Sequence, residues 1–381
     1  MRQWCLAACL LLDVNIAPAA TPQAAPLQIA GASQWDMPAS ASGRNYRIFV
    51  SAPGKSAPAQ GYGVLYVLDA NAMFLTAVEA VRAFERRPDV PKDIATVVVG
   101  IGYPDGSDIQ AERTHDLTPV AAENPRTRQV AGGGADAFLA FIESDLKPQI
   151  GGMFPLDKRK QTIFGHSFGG LFVLHTLARQ PEAFPIRIAA SPSIWYGGGG
   201  FIKDELQKLA QSRTQDDPRL RVLLMAGEFE QAPSPAMRAQ PHAEEAIRGL
   251  AMRKQIDNAR EATALLGAAP GIEARFDEIA GEDHGSVIPA AIGRAVAFML
   301  WPPLPVPEVP SAQAYLQMTP EQRYDLRVRD LPDIDRIPWL NQLKQTLQAG
   351  LTVEQNKALH DERNRMDQEN GTQPHAVNAA N

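Results

Sequence analysis

Short apolar runs alternate with amphipathic stretches along most of this chain. Residues 46–51 alternate apolar and polar side chains as a half-buried strand does, and amphipathic helical spacing follows at 72–86 and 135–146. Further apolar runs that predict strands occupy residues 63–69, 94–101, 186–191, 219–226 and 271–279. Buried parallel strands are apolar on both faces and are joined by crossover helices. The pattern therefore predicts an α/β fold with a mostly parallel central sheet flanked by helices.

The sequence also predicts where the main domain ends. Residues 302–310 contain five prolines, which exclude a helix and favour an extended linker. We therefore assign residues 27–301 to the α/β domain and residues 311–381 to a small helical appendage, which either packs on the domain or contacts a partner. A helix is expected to start at Thr319-Pro320-Glu321. A narrow apolar stripe is expected from Leu340, Leu343 and Leu347, and Gly350 would end it. The polar stretch from about Asp361 is expected to be disordered.

The segment Gly165-His166-Ser167-Phe168-Gly169 lies between an apolar strand pattern and an apolar helix pattern. A G-x-S-x-G sequence in this context is typical of the nucleophile elbow of an α/β-hydrolase. The strained turn requires small neighbours, so Gly165 and Gly169 fit the geometry. Ser167 is the candidate nucleophile.

A serine nucleophile needs a histidine base and a carboxylate that orients it. His284 lies in the loop 281–286, between the last predicted strand and the closing helix 287–300, where the base of this fold is expected. For the acid, we prefer Glu230, three residues beyond the glycine that ends the strand 219–226, with Glu228 as the alternative. The backbone amides of Phe168 and Asn71 are the candidate oxyanion donors.

Composition and charge limit the expected partners. The 381-residue chain has a formal net charge of -6, so nucleic acid and anionic membrane surfaces are not expected partners. The expected partner is a small-molecule ester. Residues 1–20 have the charged start, short apolar run and small residues of a signal peptide, which predicts export and is too short for a permanent membrane span. Cys9 follows Leu-Ala-Ala as in a lipoprotein box, but so little apolar sequence precedes it that anchoring is not expected. The only cysteines, Cys5 and Cys9, belong to this segment, so no disulfide is expected in the mature chain.

Several motifs in residues 27–301 resemble one family of α/β-hydrolases, the esterase-D type. The resemblance rests on four segments: 68–71 (Leu-Asp-Ala-Asn), 113–119, 165–170 and 191–196 (Ser-Pro-Ser-Ile-Trp-Tyr). Within that family the chain is most similar to periplasmic siderophore esterases, which open the trilactone of enterobactin-like or salmochelin-like catecholates. Two positions depart from the family pattern, Ala70 in place of glycine and Leu117 in place of tyrosine.

The resemblance implies roles for further residues. Arg113 would face the pocket and meet an anionic catecholate, or else pair with Asp116 to fix its loop. Trp195 would be an aromatic platform in that pocket, or else a core residue. Glycines 197–200 would form a lid hinge or, by preference, a flexible turn. Some relatives are thought to use a Ser-His dyad, which would leave Glu230 without a catalytic role.

Taken together, the sequence predicts a periplasmic serine carboxylester hydrolase that cleaves a siderophore trilactone. No cofactor and no protein-bound metal are expected, because iron would arrive within the substrate. The alternatives are a general acyl or feruloyl esterase, an acyltransferase on the same fold, and a non-catalytic binding protein on a hydrolase scaffold. The intact Ser167 and His284 disfavour the last of these.

Overall fold

A computed structural model describes residues 28–88, 90, 94–120, 132–300, 307–328 and 333–369 of the chain, with the side chains of 333–338 excepted. The segment predicted to be a signal peptide, 1–20, lies outside the described residues. The described residues from Gly31 onward belong to one compact unit. No helix among the described residues is long and apolar enough to cross a membrane.

The centre of the fold is a sheet in which the described residues form eight strands. In chain order these are β1 (Ala32–Pro38), β2 (Asn45–Ser51), β3 (Tyr62–Val67), β4 (Thr96–Gly102), β5 (Leu156–His166), β6 (Ile186–Ala190), β7 (Leu220–Gly227) and β8 (Ile272–Ile279). Their spatial order is β1-β2-β4-β3-β5-β6-β7-β8. The strands β1 and β2 are antiparallel to their neighbours, and every pair from β4 to β8 is parallel. The predicted α/β-hydrolase class with a mostly parallel sheet is therefore confirmed.

Helices cover both faces of this sheet. In the main domain they are α1 (Ala70–Glu85), α2 (Ile109–Leu117), α3 (Ala135–Phe141), α4 (Lys147–Met153), α5 (Phe168–Arg179), α6 (Gly200–Ser212), α7 (Pro235–Arg238), α8 (Glu244–Arg253), α9 (Gln255–Gly267) and α10 (Val287–Leu300). Helices α1 and α10 bury their apolar residues in one core layer, whereas α3, α5, α6 and α9 contribute to the layer on the opposite face. The two layers hold the parallel strands between them, so their carboxyl ends open at one edge.

Three elements differ from those predicted by the sequence pattern. The edge strand β1 was not predicted, because its exposed face carries polar residues and its pairing with β2 is decided by tertiary contact. The helix expected over 135–146 changes to a π-helix over Ile142–Leu146 before α4 begins. The strand β5 starts at Leu156, although the apolar run begins only near residue 161, because polar residues occupy its first half.

The C-terminal appendage is helical, as predicted, and consists of α11 (Ala312–Gln317), α12 (Pro320–Val328), α13 (Asp333–Gly350) and α14 (Val353–Glu369). Its small core is formed by Tyr315, Trp339 and Leu343, with Leu340 and Leu347 packed against it. Helix α13 also lies against β8.

The disordered tail expected from about Asp361 is wrong as far as Glu369. Helix α14 continues through this polar stretch, where Arg323 of α12 binds the Glu362 carboxylate in a bidentate pair, with distances of 2.7 and 2.6 Å. The remaining tail residues, 370–381, lie outside the described residues. The prediction of disorder rested on local composition, which does not show that tertiary packing brings Arg323 and Glu362 together.

We expect Gly165→Ala to destabilise the fold. A Cβ at Gly165 would overlap the backbone of Gly169, which cannot move without displacing helix α5. The expected loss is about 2 kcal/mol or more in the free energy of unfolding, measured by denaturant titration. Gly293→Ala in α10 is the matched control, because its Cβ would meet no atom within 4 Å and should be neutral or slightly stabilising. Equal stability of the two variants would show that the turn at Gly165 can accommodate a Cβ atom.

Candidate active site

Ser167 stands on a sharp turn between the end of β5 and the start of α5. Its backbone has φ 58° and ψ -116°, a strained conformation for a residue with a side chain. Space at this turn is limited, since a Cβ on Gly170 would lie 2.9 Å from the Ala190 carbonyl oxygen. A Cβ on Gly169 would still have 3.4 Å to its nearest neighbour. The sequence argument therefore chose correctly at Gly165, but the second glycine without room is Gly170 rather than Gly169.

Ser167, His284 and Glu230 form one chain of hydrogen bonds. The Ser167 Oγ lies 3.0 Å from His284 Nε2, and His284 Nδ1 lies 2.6 Å from Glu230 Oε2. The serine follows β5, the glutamate follows β7 and the histidine follows β8, so three separate strand ends converge. This arrangement can pass a proton from the serine hydroxyl to the imidazole while the carboxylate stabilises the imidazolium.

The loop that carries His284 is held against the end of β7. A Cβ on Gly227 would lie 2.5 Å from the carbonyl oxygen of Glu282, so a glycine allows the two segments to approach closely. The Phe229 amide donates a hydrogen bond of 2.9 Å to that same carbonyl. Glu228, the alternative acid, accepts a hydrogen bond from the Gly281 amide at 2.7 Å. Glu228 therefore fixes the histidine loop, and Glu230 is the carboxylate that touches the imidazole.

The Glu230 carboxylate is buried but well supplied with donors. Burial by itself would raise its pKa, yet hydrogen bonds from His284, Ser191 and the Gly227 amide outweigh this and hold the pKa below its usual value. The Ser191 hydroxyl donates to Oε1 at 2.5 Å and the Gly227 amide donates at 2.6 Å. The carboxylate thus stays charged and in a fixed rotamer, as an orienting acid must.

Two serines of this site were not chosen from the sequence. Ser191 has a left-handed backbone (φ 46°) just beyond β6, which aims its hydroxyl at Glu230. Ser193 is buried, and its Oγ lies 3.3 Å from that of Ser167. Their position at the carboxyl end of a parallel strand, within the motif Ser-Pro-Ser, is the signal that could have found them.

We expect Ser191→Ala to lower kcat for ester hydrolysis by roughly tenfold, since the variant loses one hydrogen bond to a charged carboxylate. With less stabilisation of the ionised form, the pKa of Glu230 should also rise. The matched control is Ser212→Ala, which removes a hydroxyl bound to the Leu209 carbonyl at the end of α6. A wild-type rate in Ser191→Ala would show that the other two donors suffice.

His166 packs directly against the candidate base. Its ring centroid lies 4.6 Å from that of His284, and burial lowers the pKa of His166 from 6.5 to about 4. A neutral imidazole here avoids placing a second positive charge beside the imidazolium that forms during catalysis.

This depressed pKa predicts a pH dependence of stability. Between pH 6.5 and about 4 the unfolded chain binds a proton at His166 that the folded chain does not bind. The free energy of unfolding should therefore fall as the pH falls through this window, by about 3 kcal/mol at most from this residue. Denaturant titrations of the wild type and His166→Phe at several pH values would isolate the contribution as the difference between their slopes. Parallel pH curves for the two proteins would contradict it.

The two candidate oxyanion amides both belong to the first turn of a helix. Phe168 is the first residue of α5 and Asn71 the second of α1, so their N–H groups precede the intrahelical hydrogen-bond pattern. The Asn71 side chain is occupied by the Tyr103 backbone, at 2.8 and 2.9 Å, which fixes the start of α1. The starts of the two helices are neighbours, since a Cβ on Gly169 would lie 3.4 Å from Asp69 Oδ2. Both helix dipoles favour negative charge at this end of the sheet.

Arg113 forms a bidentate ion pair with Asp69, with distances of 2.8 and 2.9 Å. The alternative pairing with Asp116 does not occur, because Asp116 binds Arg44 and His115 instead. The Arg113 guanidinium also lies 5.6 Å from the centre of the Phe168 ring. It therefore borders the residue that follows the nucleophile, with its charge largely balanced by Asp69.

Trp195 belongs to an aromatic group beside the elbow rather than to the domain core. It is half-buried, and its ring centroid lies 6.3 Å from that of Phe168. The Tyr196 ring packs edge-on with that of Phe168, with 5.7 Å between the ring centroids. The glycine run contributes to a short turn at Tyr196–Gly198 and then to the start of α6.

No group of three or more histidine, cysteine or carboxylate side chains that could hold a metal ion occurs among the residues that the structure describes. The described part of the site consists instead of hydrogen-bonded serine, histidine and glutamate side chains beside two helix N-termini.

The sheet order and the elbow define the class of protein as an α/β-hydrolase, in which a strand-turn-helix serine meets a histidine after the last strand. Residues 39–261 match the family model described as "Putative esterase". The chain belongs to this esterase family and is a carboxylester hydrolase.

Characterised relatives share most of the main domain. The chain is 39% identical over 267 residues to a ferri-bacillibactin esterase of Bacillus subtilis, covering 68% of this chain and 86% of the relative. It is 33% identical over 307 residues to a siderophore enterobactin esterase of Emericella nidulans, covering 74% and 96%. A siderophore hydrolase of Aspergillus nidulans of known structure has 32% identity and a TM-score of 0.63, covering 73% of this chain and 98% of that one.

Proposed function

We propose that this protein hydrolyses the ester bonds of a siderophore macrolactone, with Ser167 as nucleophile, His284 as general base and Glu230 as orienting acid. The observation that carries the proposal is the chain of hydrogen bonds from Ser167 through His284 to Glu230 on the elbow. The relatives that act on ferri-bacillibactin and on enterobactin support the choice of substrate.

In the first step, the Ser167 oxygen attacks the ester carbonyl while His284 Nε2 accepts the hydroxyl proton. Glu230 stabilises the resulting imidazolium through Nδ1. The negative charge on the carbonyl oxygen is stabilised by backbone amides at the starts of α5 and α1, for which Phe168 and Asn71 are the candidates. The carbonyl-alkoxy bond then breaks, and His284 donates its proton to the leaving alkoxy oxygen of the substrate, which becomes a hydroxyl group.

In the second step, water replaces the alcohol. His284 accepts a proton from the water, the hydroxide attacks the acyl carbonyl, and the bond to Ser167 breaks with return of the proton to its oxygen. The products are a free Ser167 and the opened lactone, which now carries one carboxylic acid and one hydroxyl group. Opening the ring removes the preorganisation of the iron-binding arms, so the product holds iron less tightly.

The test compares two substrates under the same conditions. The proposal predicts that the wild-type protein prefers the ferric complex of a catecholate trilactone to p-nitrophenyl butyrate, judged by kcat/KM from product chromatography. Cleavage of the small ester alone would support an esterase activity but indicate ordinary acyl esters as its substrates. Transfer of the acyl group to an added alcohol in preference to water would instead indicate an acyltransferase.

We also propose that the protein is exported to the periplasm and loses a signal peptide within residues 1–20. The charged start, short apolar run and small residues of this segment support the proposal. Cell fractionation followed by N-terminal sequencing tests it, and recovery of the uncleaved protein in the cytosol would contradict it.

A further inference from the structure

We infer that Arg253 is a specificity-determining residue, which selects ferric catecholate esters because of their negative charge. The inference rests on the proposed siderophore function and assigns a substrate class to the same site. It places at this position a cation that neither the motifs nor the triad geometry uses.

Arg253 is connected to the elbow through a row of neighbouring side chains. Its guanidinium lies 5.7 Å from the centre of the Trp195 ring, and the Trp195 ring lies 6.3 Å from that of Phe168. Phe168 directly follows the nucleophile. Phe168, Trp195 and Arg253 thus form a row that leads away from Ser167, and Arg253 is its exposed outer end.

The two arginines of this row differ in the charge that they offer. Arg113 is bound in a bidentate pair to Asp69, so little of its charge is free for a substrate. Arg253 is exposed and, in the described part of the chain, forms no ion pair with a carboxylate; its neighbour Lys254 is exposed as well. A guanidinium stacked on a ring keeps its in-plane N–H groups available for an anionic oxygen. The net positive charge of the row is therefore at Arg253.

The backbone around Arg253 is anchored to the loop that carries Trp195. The buried Gln255 side chain donates a hydrogen bond of 2.8 Å to the Pro192 carbonyl. The Asn258 side chain donates at 2.8 Å to the carbonyl of Arg253 itself. Lys254 adopts a left-handed conformation (φ 47°) that ends α8 and starts α9. The stack of Arg253 on Trp195 is thus supported by fixed elements.

This chemistry distinguishes two classes of siderophore. A ferric complex of catecholates carries net negative charge and flat aromatic rings, whereas hydroxamates leave the ferric complex without net charge. An aromatic row that ends in a guanidinium with no carboxylate partner among the described residues complements the first class through ring contacts and charge. It offers the second class no ionic interaction.

The test measures steady-state kinetics on one scaffold in two charge states. The substrates are the ferric complex of a catecholate trilactone and the same trilactone without iron, whose catechols are protonated and uncharged at neutral pH. We expect Arg253→Gln to raise the KM for the ferric complex by roughly fivefold, the size of one stacked cationic contact. The change in KM for the iron-free form should be clearly smaller, and kcat should change little for either. Arg253→Lys should recover part of the effect, because it restores the charge but not the planar group.

Arg248→Gln is the matched control, since Arg248 is exposed on the same helix and its loss changes the net charge of the protein equally. Its KM values should stay within about twofold of the wild type, and added salt should raise the KM for the ferric complex more in the wild type than in Arg253→Gln. Equal KM changes in the two variants, or an unchanged KM in Arg253→Gln, would overturn the role of Arg253 while leaving the siderophore function intact. Failure of the wild type to cleave either trilactone would instead contradict the proposed function.

Discussion

Replacing Ser167 with alanine is expected to lower kcat for ester hydrolysis by roughly four to six powers of ten. The variant loses the only hydroxyl that lies within hydrogen-bond distance of His284 Nε2 in the described structure, at 3.0 Å. Without it, no covalent acyl-enzyme forms, and the remaining catalysis comes from the oxyanion donors and from binding alone. The measurement is initial-rate hydrolysis of p-nitrophenyl butyrate and of the ferric trilactone.

A second serine close by provides the control. The Ser193 hydroxyl lies 3.3 Å from that of Ser167 but bonds to neither His284 nor Glu230 in the described structure. Ser193→Ala should therefore keep more than about a tenth of the wild-type rate, and an active-site phosphonate should label it but not Ser167→Ala. A Ser167→Ala protein with near wild-type turnover would rule out the elbow serine as nucleophile.

Replacing Glu230 with glutamine is expected to lower kcat by roughly three to four powers of ten. The amide keeps the shape of the carboxylate but cannot stabilise the imidazolium, and its NH2 group can favour the wrong tautomer of His284. The 2.6 Å contact with His284 Nδ1 and the depressed pKa of the buried carboxyl both identify Glu230 as the ionised partner. The measurement is kcat as a function of pH for the wild type and the variant.

Glu228→Gln is the matched control, two residues away in the same turn. The Glu228 carboxylate accepts a hydrogen bond from the Gly281 amide, and a glutamine oxygen can still accept it. This variant should retain most of the wild-type activity. If Glu230→Gln kept more than about a tenth of the rate, the site would work as a Ser-His dyad. If only Glu228→Gln lost activity, the acid would be misassigned.

The sequence by itself determined the class of fold and the turn that carries the candidate nucleophile. Apolar runs at the lengths of strands, separated by helical periodicity, allow little besides a parallel sheet covered on both faces. The glycines around Ser167 encode a local backbone conformation, and local conformation is the property that neighbouring residues decide. His284 was also found from chain order, because the histidine of this fold comes after the serine and the acid, in the loop that follows the last strand.

Only the tertiary structure decided which side chains meet. Arg113 had two candidate roles in the sequence and pairs with Asp69, 44 residues away. Glu228 and Glu230 occur in the same turn after β7, and the choice between them depends on the side of that turn that faces His284. Helix α14 extends into the stretch predicted to be disordered, where Arg323 binds Glu362 across 39 residues. Each of these contacts depends on how strand ends and helices are placed in space, which short-range sequence patterns do not encode.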